Sequence, residues 1–279
     1  MYATMSRTGT WTTNRPLRAT EEERVNANQI ALQLYTVRSR ATGDIIGTLR
    51  ELAEIGYTAV EFAGYGGVPV GELRSVLDEL GMRAIAAHVP LDQFATRFDG
   101  VVDELKTLGA DHAIVPWVAP ERRAELFGDT ATLAATFDEW GGKCREAGLR
   151  FGYHNHDFEF APAPSGEGTL LDALMGATDP ALVSLELDAY WAAVPGFDPV
   201  AIIRRYAGRI PLLHVKDMAG GTERADAPVG EGVLPWREIL PAAHAAGTEW
   251  YIVEQDNPRD PMVDVGTSLR NLQAILGGA

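Results

Sequence analysis

The chain has 279 residues, 46% hydrophobic and 23% charged, the balance of an ordinary soluble globular protein with enough apolar residues for a sizeable core. Its 39 acidic against 24 basic side chains leave a formal charge of -15, which repels a phosphate backbone and argues against nucleic acid as a partner. The single cysteine, Cys144, cannot form an intrachain disulfide, and no run of about 18 apolar residues offers a membrane span.

Residues 1–28 are rich in Thr and Arg and lack the apolar middle of a secretory signal. They are expected to be an extension outside the core, either mobile or packed on a neighbouring subunit of a homo-oligomer. With no sign of export, the expected location is the cytoplasm.

From Ile30 onward one plan repeats: a short apolar run, a polar junction, an amphipathic helix, then glycine and a new run. Ile30 to Tyr35 is the first run, and Ile45 to Ile55 the first helix, with Leu49, Leu52 and Ile55 at helical spacing. Tyr57 to Phe62, helix Val70 to Leu80, Arg83 to His88, helix Phe98 to Leu108 and strand Asp111 to Pro116 come next. Helix Leu133 to Ala147, which carries Cys144 as an inert thiol, leads into the strand that begins near Phe151. A shorter helix, Leu170 to Gly176, precedes strand Leu182 to Leu187; helix Pro199 to Ala207 precedes Ile210 to Val215. Helix Pro235 to Ala246, strand Trp250 to Val253 and helix Val263 to Leu276 close the chain.

Gly56, Gly81, Gly109, Gly148, Gly208 and Gly247 stand at six helix ends, where a left-handed residue stops a helix without a Cβ clash. Eight strands alternating with eight helices call for a parallel sheet with right-handed crossovers, and eight such units close as a single (β/α)8 barrel over residues 29–279. An open doubly wound sheet is the alternative, but no Gly-x-Gly-x-x-Gly stands after the first strand.

In such a barrel the active site lies at the C-terminal ends of the strands. Polar chemistry collects there: Gln33 and Tyr35; Glu61; His88; Trp117; His154, His156 and Glu159; Glu186 and Asp188; His214, Lys216 and Asp217; Glu254 and Gln255. The densest stretch is Phe151 to Phe160, FGYHNHDFEF. There His154 and His156 share a face of a strand that begins apolar and ends in imidazole and carboxylate. Glu159, Asp188, His214 and Glu254 come from four successive units and could converge on one divalent cation. Three carboxylates and one imidazole suit Mn²⁺ first, with Mg²⁺, Co²⁺ or Fe²⁺ as further candidates; Zn²⁺ usually takes more nitrogen or sulfur but stays among them.

The series LQLYTVR, YTAVEFAGY, AAHVP, YHNHDFEF, LELDAYW, LLHVKDM, VGEG with PW, and YIVEQDNP resembles the xylose-isomerase-like TIM barrels, in particular their sugar (phosphate) isomerase/epimerase group. The resemblance implies a divalent metal held by a Glu of the fifth strand, an Asp of the sixth, a His of the seventh and a Glu of the eighth. Asp188, His214 and Glu254 match three of these. The fifth strand departs from the pattern, so Glu159 is the expected substitute, with His154 or His156 as competitors.

The implied reaction is proton abstraction next to a metal-bound carbonyl of a keto sugar or related polyol, through an enediolate. Reprotonation gives an isomerase or epimerase, the first expectation; loss of a β-oxygen gives a lyase, as in an inosose dehydratase or a 3-keto-glycoside eliminating enzyme. His156 or His154 is the expected base or acid, Glu254 ligand and acid/base together, and Lys216 an oxyanion or leaving-group partner. An ion pair with Asp217 or Glu186 is the structural alternative for Lys216. His88, preceded by Ala84 and Ala86 on one face, and Glu61 are expected to contact substrate. Tyr35, Trp117, Tyr190 and Trp191 would wall the sugar ring, and Glu231 would face the site from a loop over residues 218–235. His112 and His244 read as structural. A DNA-repair endonuclease would need more histidines and a basic face, and a non-catalytic sugar-binding barrel would not need intact metal ligands.

Overall fold

The computed structural model describes residues 27–277. The expectation for residues 1–28 thus lies outside the described residues apart from its last two, which belong to a 3₁₀ turn over Ala27–Gln29. Eight parallel strands close a barrel: β1 (Ile30–Gln33), β2 (Ala59–Phe62), β3 (Arg83–His88), β4 (His112–Val115), β5 (Arg150–His154), β6 (Val183–Asp188), β7 (Leu212–Val215) and β8 (Trp250–Val253). Each pairs with its sequence neighbours, and β1 closes the ring by pairing Ile30 with Tyr251 of β8.

Among the described residues ten α-helices surround it: α1 (Arg38–Ile55), α2 (Val70–Leu80), α3 (Leu91–Leu108), α4 (Pro120–Gly128), α5 (Thr130–Glu146), α6 (Leu170–Ala177), α7 (Ala189–Ala193), α8 (Pro199–Arg205), α9 (Trp236–Ala245) and α10 (Pro261–Gly277). Two of them, α4 and α7, were not expected; α7 is a single turn begun by Asp188, whose side chain accepts the Trp191 N–H. All six glycines singled out as helix stops have positive φ, from 65° at Gly81 to 115° at Gly56. They end the helices in the left-handed conformation that a Cβ disfavours.

The core has two parts. Between strands and helices lies the larger one, where Phe137 and Phe151 meet edge to face at 5.3 Å between ring centres. Burying each such side chain contributes about 1.5–3 kcal/mol. Inside the barrel a small plug of Ala31, Ala59, Ile85, Ala86, Ile114, Leu212 and Ile252 fills one end. A Cβ on Gly152 would come within 2.6 Å of Ser184 Oγ and 2.7 Å of Ile114 Cδ1, so β5 has no side chain there. That plug forms a floor beneath the C-terminal strand ends, and Trp250, at the start of β8, packs against it.

Three local departures from the sequence expectation matter for the site. β1 ends at Gln33, whose side chain accepts the Tyr35 N–H at 3.1 Å and begins a 3₁₀ turn over Leu34–Val37. A register shift between β2 and β3 pairs Val60 with Ala84 but Glu61 with Ala86. Ala84 therefore packs in the outer core and Ala86 in the barrel plug, instead of both lying under His88 on one face. Both α1 and α3 begin earlier than expected and bend, at Asp44 and at Arg97, because their first turns lie at the barrel mouth where apolar spacing is weak.

Candidate active site and metal centre

Above the plug, inward positions of six strands bring carboxylates and imidazoles together. His214 on β7 has Nδ1 2.8 Å from Glu254 Oε2 and Nε2 2.9 Å from Glu61 Oε2. Glu186 on β6 faces three histidines: its Oε2 is hydrogen-bonded to His88 Nε2 at 2.7 Å and to His154 Nδ1 at 3.0 Å, and lies 3.3 Å from His214 Nε2. All of these except His88 are buried, and His88 lines the cavity above.

Two overlapping sets could hold a cation: His88, His154, Glu186 and His214; and His154, Asp188, His214 and Glu254, with the donor atoms of each set within 4.8 Å of one another. The second contains three of the four expected ligands. Glu159 is not the fourth. Its carboxylate is buried away from the cluster, bonded to the Tyr153 hydroxyl and accepting the His156 N–H at 2.8 Å. The strand ends at His154, and the 3₁₀ turn over Phe158–Phe160 carries Glu159 back toward Tyr153, so extrapolating the strand pattern past residue 154 misplaces it. His154, named as a competitor, stands in that set instead.

The residues fit a divalent cation. Asp188 Oδ2 and one oxygen each of Glu61 and Glu186 are buried without a hydrogen-bond partner, the condition that a bound cation relieves. Exchanging Glu159 for His154 leaves two imidazoles and two carboxylates, a mixed set that suits Zn²⁺ as well as Mn²⁺, Co²⁺ or Fe²⁺.

Crowding sets the charges. Burial pushes the Asp188 carboxyl up to about 7, against the pull of Lys216, and pushes Glu61 up to about 7 with help from Glu186. Burial opposes a charged His214, but Glu186 and Glu254 outweigh it and hold its pKa well above the usual imidazole range. His154 falls to about 4 and His156 to about 2, both chiefly through burial and then through neighbouring imidazoles, so both are neutral. Burial also opposes charge on Lys216, yet Glu254, Asp188 and Asp256 keep it cationic.

Lys216 is almost fully buried, its ammonium 2.6 Å from Asp256 Oδ2, 3.7 Å from Glu254 Oε2 and 3.9 Å from Asp188 Oδ2. It also lies 4.9 Å from the Trp191 ring centre and 5.2 Å from that of Tyr190. Neither Asp217 nor Glu186, the partners considered from sequence, pairs with it. Asp217 instead accepts the backbone N–H groups of Met218, Gly230, Gly232 and Leu234, and so ties down the loop after β7.

A cavity of about 980 Å³ opens over the cluster. His88, His154, His156, Glu254 and Asp256 line its inner part, and Tyr35 and Trp117 stand at it, 42% and 45% exposed. Trp191 reaches the site through His156, at 5.4 Å between ring centres, while Tyr190 turns its hydroxyl to the Arg224 carbonyl at 2.6 Å. Glu231 does not reach the cavity: it is exposed in the loop, where its N–H donates to the Pro228 carbonyl. Cys144 is buried on α5 with its thiol pushed up to about 12 by burial, as an inert thiol would be.

Sequence reasoning placed Glu186 among the strand-end polar residues but gave it no part in the cluster, and it missed Asn155 and Asp256. Glu186 stands two residues before Asp188 on one strand face, a period that could have flagged it as a cluster member. Asn155 clasps the backbone of Asp188, accepting its N–H at 3.0 Å and donating to its carbonyl at 3.4 Å. Asp256 lies beyond the end of β8, where period-two reasoning has no hold.

Residues 49–275 match the family described as the xylose isomerase-like TIM barrel, and the chain belongs to that family. Over 191 residues it is 29% identical to an inosose dehydratase of Geobacillus kaustophilus, a match spanning 61% of this chain and 61% of that protein, thus less than two thirds of the relative's length. A sugar phosphate isomerase/epimerase from Parabacteroides distasonis superimposes with a TM-score of 0.75 at 26% identity, covering 90% of this chain and 96% of its own. The IOLI protein, solved with a zinc atom, superimposes with a TM-score of 0.67 over 90% of this chain and 98% of that one; at 13% identity this is a likeness of fold alone.

Proposed function

We propose that this chain is a divalent-cation-dependent enzyme acting on a keto sugar or related keto-polyol, which removes the proton beside the carbonyl and completes the reaction by losing the β-oxygen. The observation that carries this reading is the end of β5: it presents imidazoles, not a carboxylate, to the cluster holding Glu254, with the Lys216 ammonium buried beside them. The inosose dehydratase among its relatives supports the same reading.

His154, Asp188, His214 and Glu254 would hold the cation, which when bound polarises a carbonyl and eases loss of the neighbouring proton. His156 lines the cavity and has an Nδ1 without a partner, which places it to take that proton, while burial and the neighbouring His154 and Lys216 oppose the charge it gains and favour passing the proton on. The electron pair of the broken C–H bond forms the C=C bond as the C–O bond on the next carbon breaks. Lys216 supplies fixed positive charge and a hydrogen bond to the departing oxygen, which takes from His156 the proton removed from carbon and leaves as water, returning His156 to its neutral form. Trp191 and Tyr190 cover the ammonium and keep solvent from it.

A second reading, isomerase or epimerase, draws on the likeness to the Parabacteroides protein and on Glu254, which could be ligand and acid/base together. One experiment separates the two. Metal-loaded protein is incubated in D₂O with a panel of keto sugars and an inosose, monitored by NMR and ultraviolet absorbance. Elimination gives an unsaturated chromophore with loss of water; deuterium exchange with a saturated product favours the second reading; exchange on no substrate rejects both.

A further inference from the structure

The cavity is larger than the chemistry above requires. Pockets of about 300–1,000 Å³ enclose drug-sized ligands, and this one, at about 980 Å³, lies at the upper end of that range. A single hexose-sized ring against His154 and Glu254 leaves its outer part unfilled. That part is built by the loop between β2 and α2 and by the first turns of α3.

The chain takes unusual backbone to shape it. In the loop AGYGGVP, Gly64 and Gly67 line the cavity with φ of 89° and 76°, and a Cβ on either would meet nothing within 4 Å. The loop is thus bent by left-handed residues into a wall without side chains there, while Tyr65 is anchored on Phe62 at 5.9 Å between ring centres. Across from it, α3 breaks at Arg97, with φ -145° and ψ 38°, and the turn before the break brings Gln93 and Arg97 to the same cavity. Arg97 donates to Gln93 Oε1 at 2.9 Å and pairs with Glu104, a cavity residue as well. Val68, Pro69, Val89 and Pro90 supply an apolar surface beside this polar trio.

An apolar shelf edged by a guanidinium, an amide and a carboxylate has the chemistry that grips a sugar: ring C–H groups pack on the shelf and hydroxyls pair at the edge. We infer that the outer part of the cavity is a second subsite, formed by Tyr65, Val68, Pro69, Gln93, Arg97 and Glu104, for a further sugar ring joined to the ring that reacts. The substrate class is then a two-ring saccharide, not a free monosaccharide. This rests on the proposed reading that the reacting ring lies against the His154–Glu254 cluster.

Binding and chemistry can be tested apart. Calorimetry of zinc-loaded protein with glucose, cellobiose and maltose reads the subsite without turnover. At least one disaccharide is expected to bind ten times more tightly than glucose, and Val68→Trp, which fills the shelf, is expected to remove that difference; circular dichroism checks that the variant folds, and Gln93→Ala serves as a second variant if it does not. Equal binding of all three sugars, or a preference that survives both substitutions, overturns the subsite. Deuterium exchange on 3-keto-glucose and 3-keto-cellobiose then reads the chemistry: absent exchange with a retained disaccharide preference rejects the proposed reaction and leaves the subsite standing.

Discussion

Glu61 on β2 and His214 on β7 meet inside the barrel, Oε2 to Nε2, at 2.9 Å. The other nitrogen of the same imidazole lies 2.8 Å from Glu254, so carboxylates from two strands hold the ring at both ends. Sequence spacing suggested Glu61 as a substrate contact. In the folded chain its first partner is a candidate metal ligand, and partners of this kind typically change affinity by about 10–100-fold. Glu61→Gln is expected to weaken zinc or manganese binding within that range, read by competition with a chelator. Unaltered affinity would exclude this role.

Asn155 orients Asp188 through both backbone groups of that residue. Asn155→Ala removes the clasp from a buried strand end and should cost about 1–3 kcal/mol of stability. Metal affinity should fall by about 10-fold as well, since Asp188 loses its fixed position. Thermal denaturation and metal titration together check this, and a variant with lowered melting temperature but full affinity would limit Asn155 to a structural role.

Lys216→Met keeps much of the buried stem volume and removes the charge. The expected outcome is a fall in kcat of about 10²–10³-fold, the range seen when one preorganised donor to a developing oxyanion is lost. Bound metal should remain near one equivalent, because no candidate ligand set includes Lys216. Retained turnover would remove Lys216 from the mechanism.

Cation binding should strengthen as pH rises. Asp188, raised to about 7, and His214, raised well above its usual value, must both release protons before they can hold a cation. From Asp188 alone, affinity should be about 100-fold weaker at pH 5 than above pH 7. The metal-induced rise in melting temperature should therefore be small at pH 5 and large at pH 8. A rise of equal size at both values would contradict the proton release.

Asp217 gathers four backbone N–H groups between Met218 and Leu234. Asp217→Ala leaves them unpaired under a buried carboxylate position and should cost about 3 kcal/mol. Hydrogen exchange in this loop should rise before that of the barrel strands; uniform protection across the chain would show that the carboxylate is dispensable.

The repeating plan was legible because its cause is local. Helical spacing such as Leu49 and Leu52, glycine at six helix ends and short apolar strands are each decided by neighbours in sequence, and strands β3 and β8 and helix α2 fall on the expected residues. Asp188 and His214 were legible for the same reason, since each ends or nearly ends a strand whose period is fixed, and Glu254 follows the last residue of β8 directly. Residues past a strand's last pair obey no such period. Glu159 turned back to Tyr153, and Asp256 came in to meet Lys216, because turn geometry and the contacts made across the barrel decide where those side chains point. The partnership of Glu61 with His214 spans 153 residues of sequence and exists only once the sheet has closed. Sequence alone therefore settled the barrel and the gathering of imidazoles and carboxylates at its mouth. Tertiary structure chose which imidazoles and carboxylates share a charge, since desolvation and a separation of about 3 Å are properties of the assembled strands and of no segment by itself.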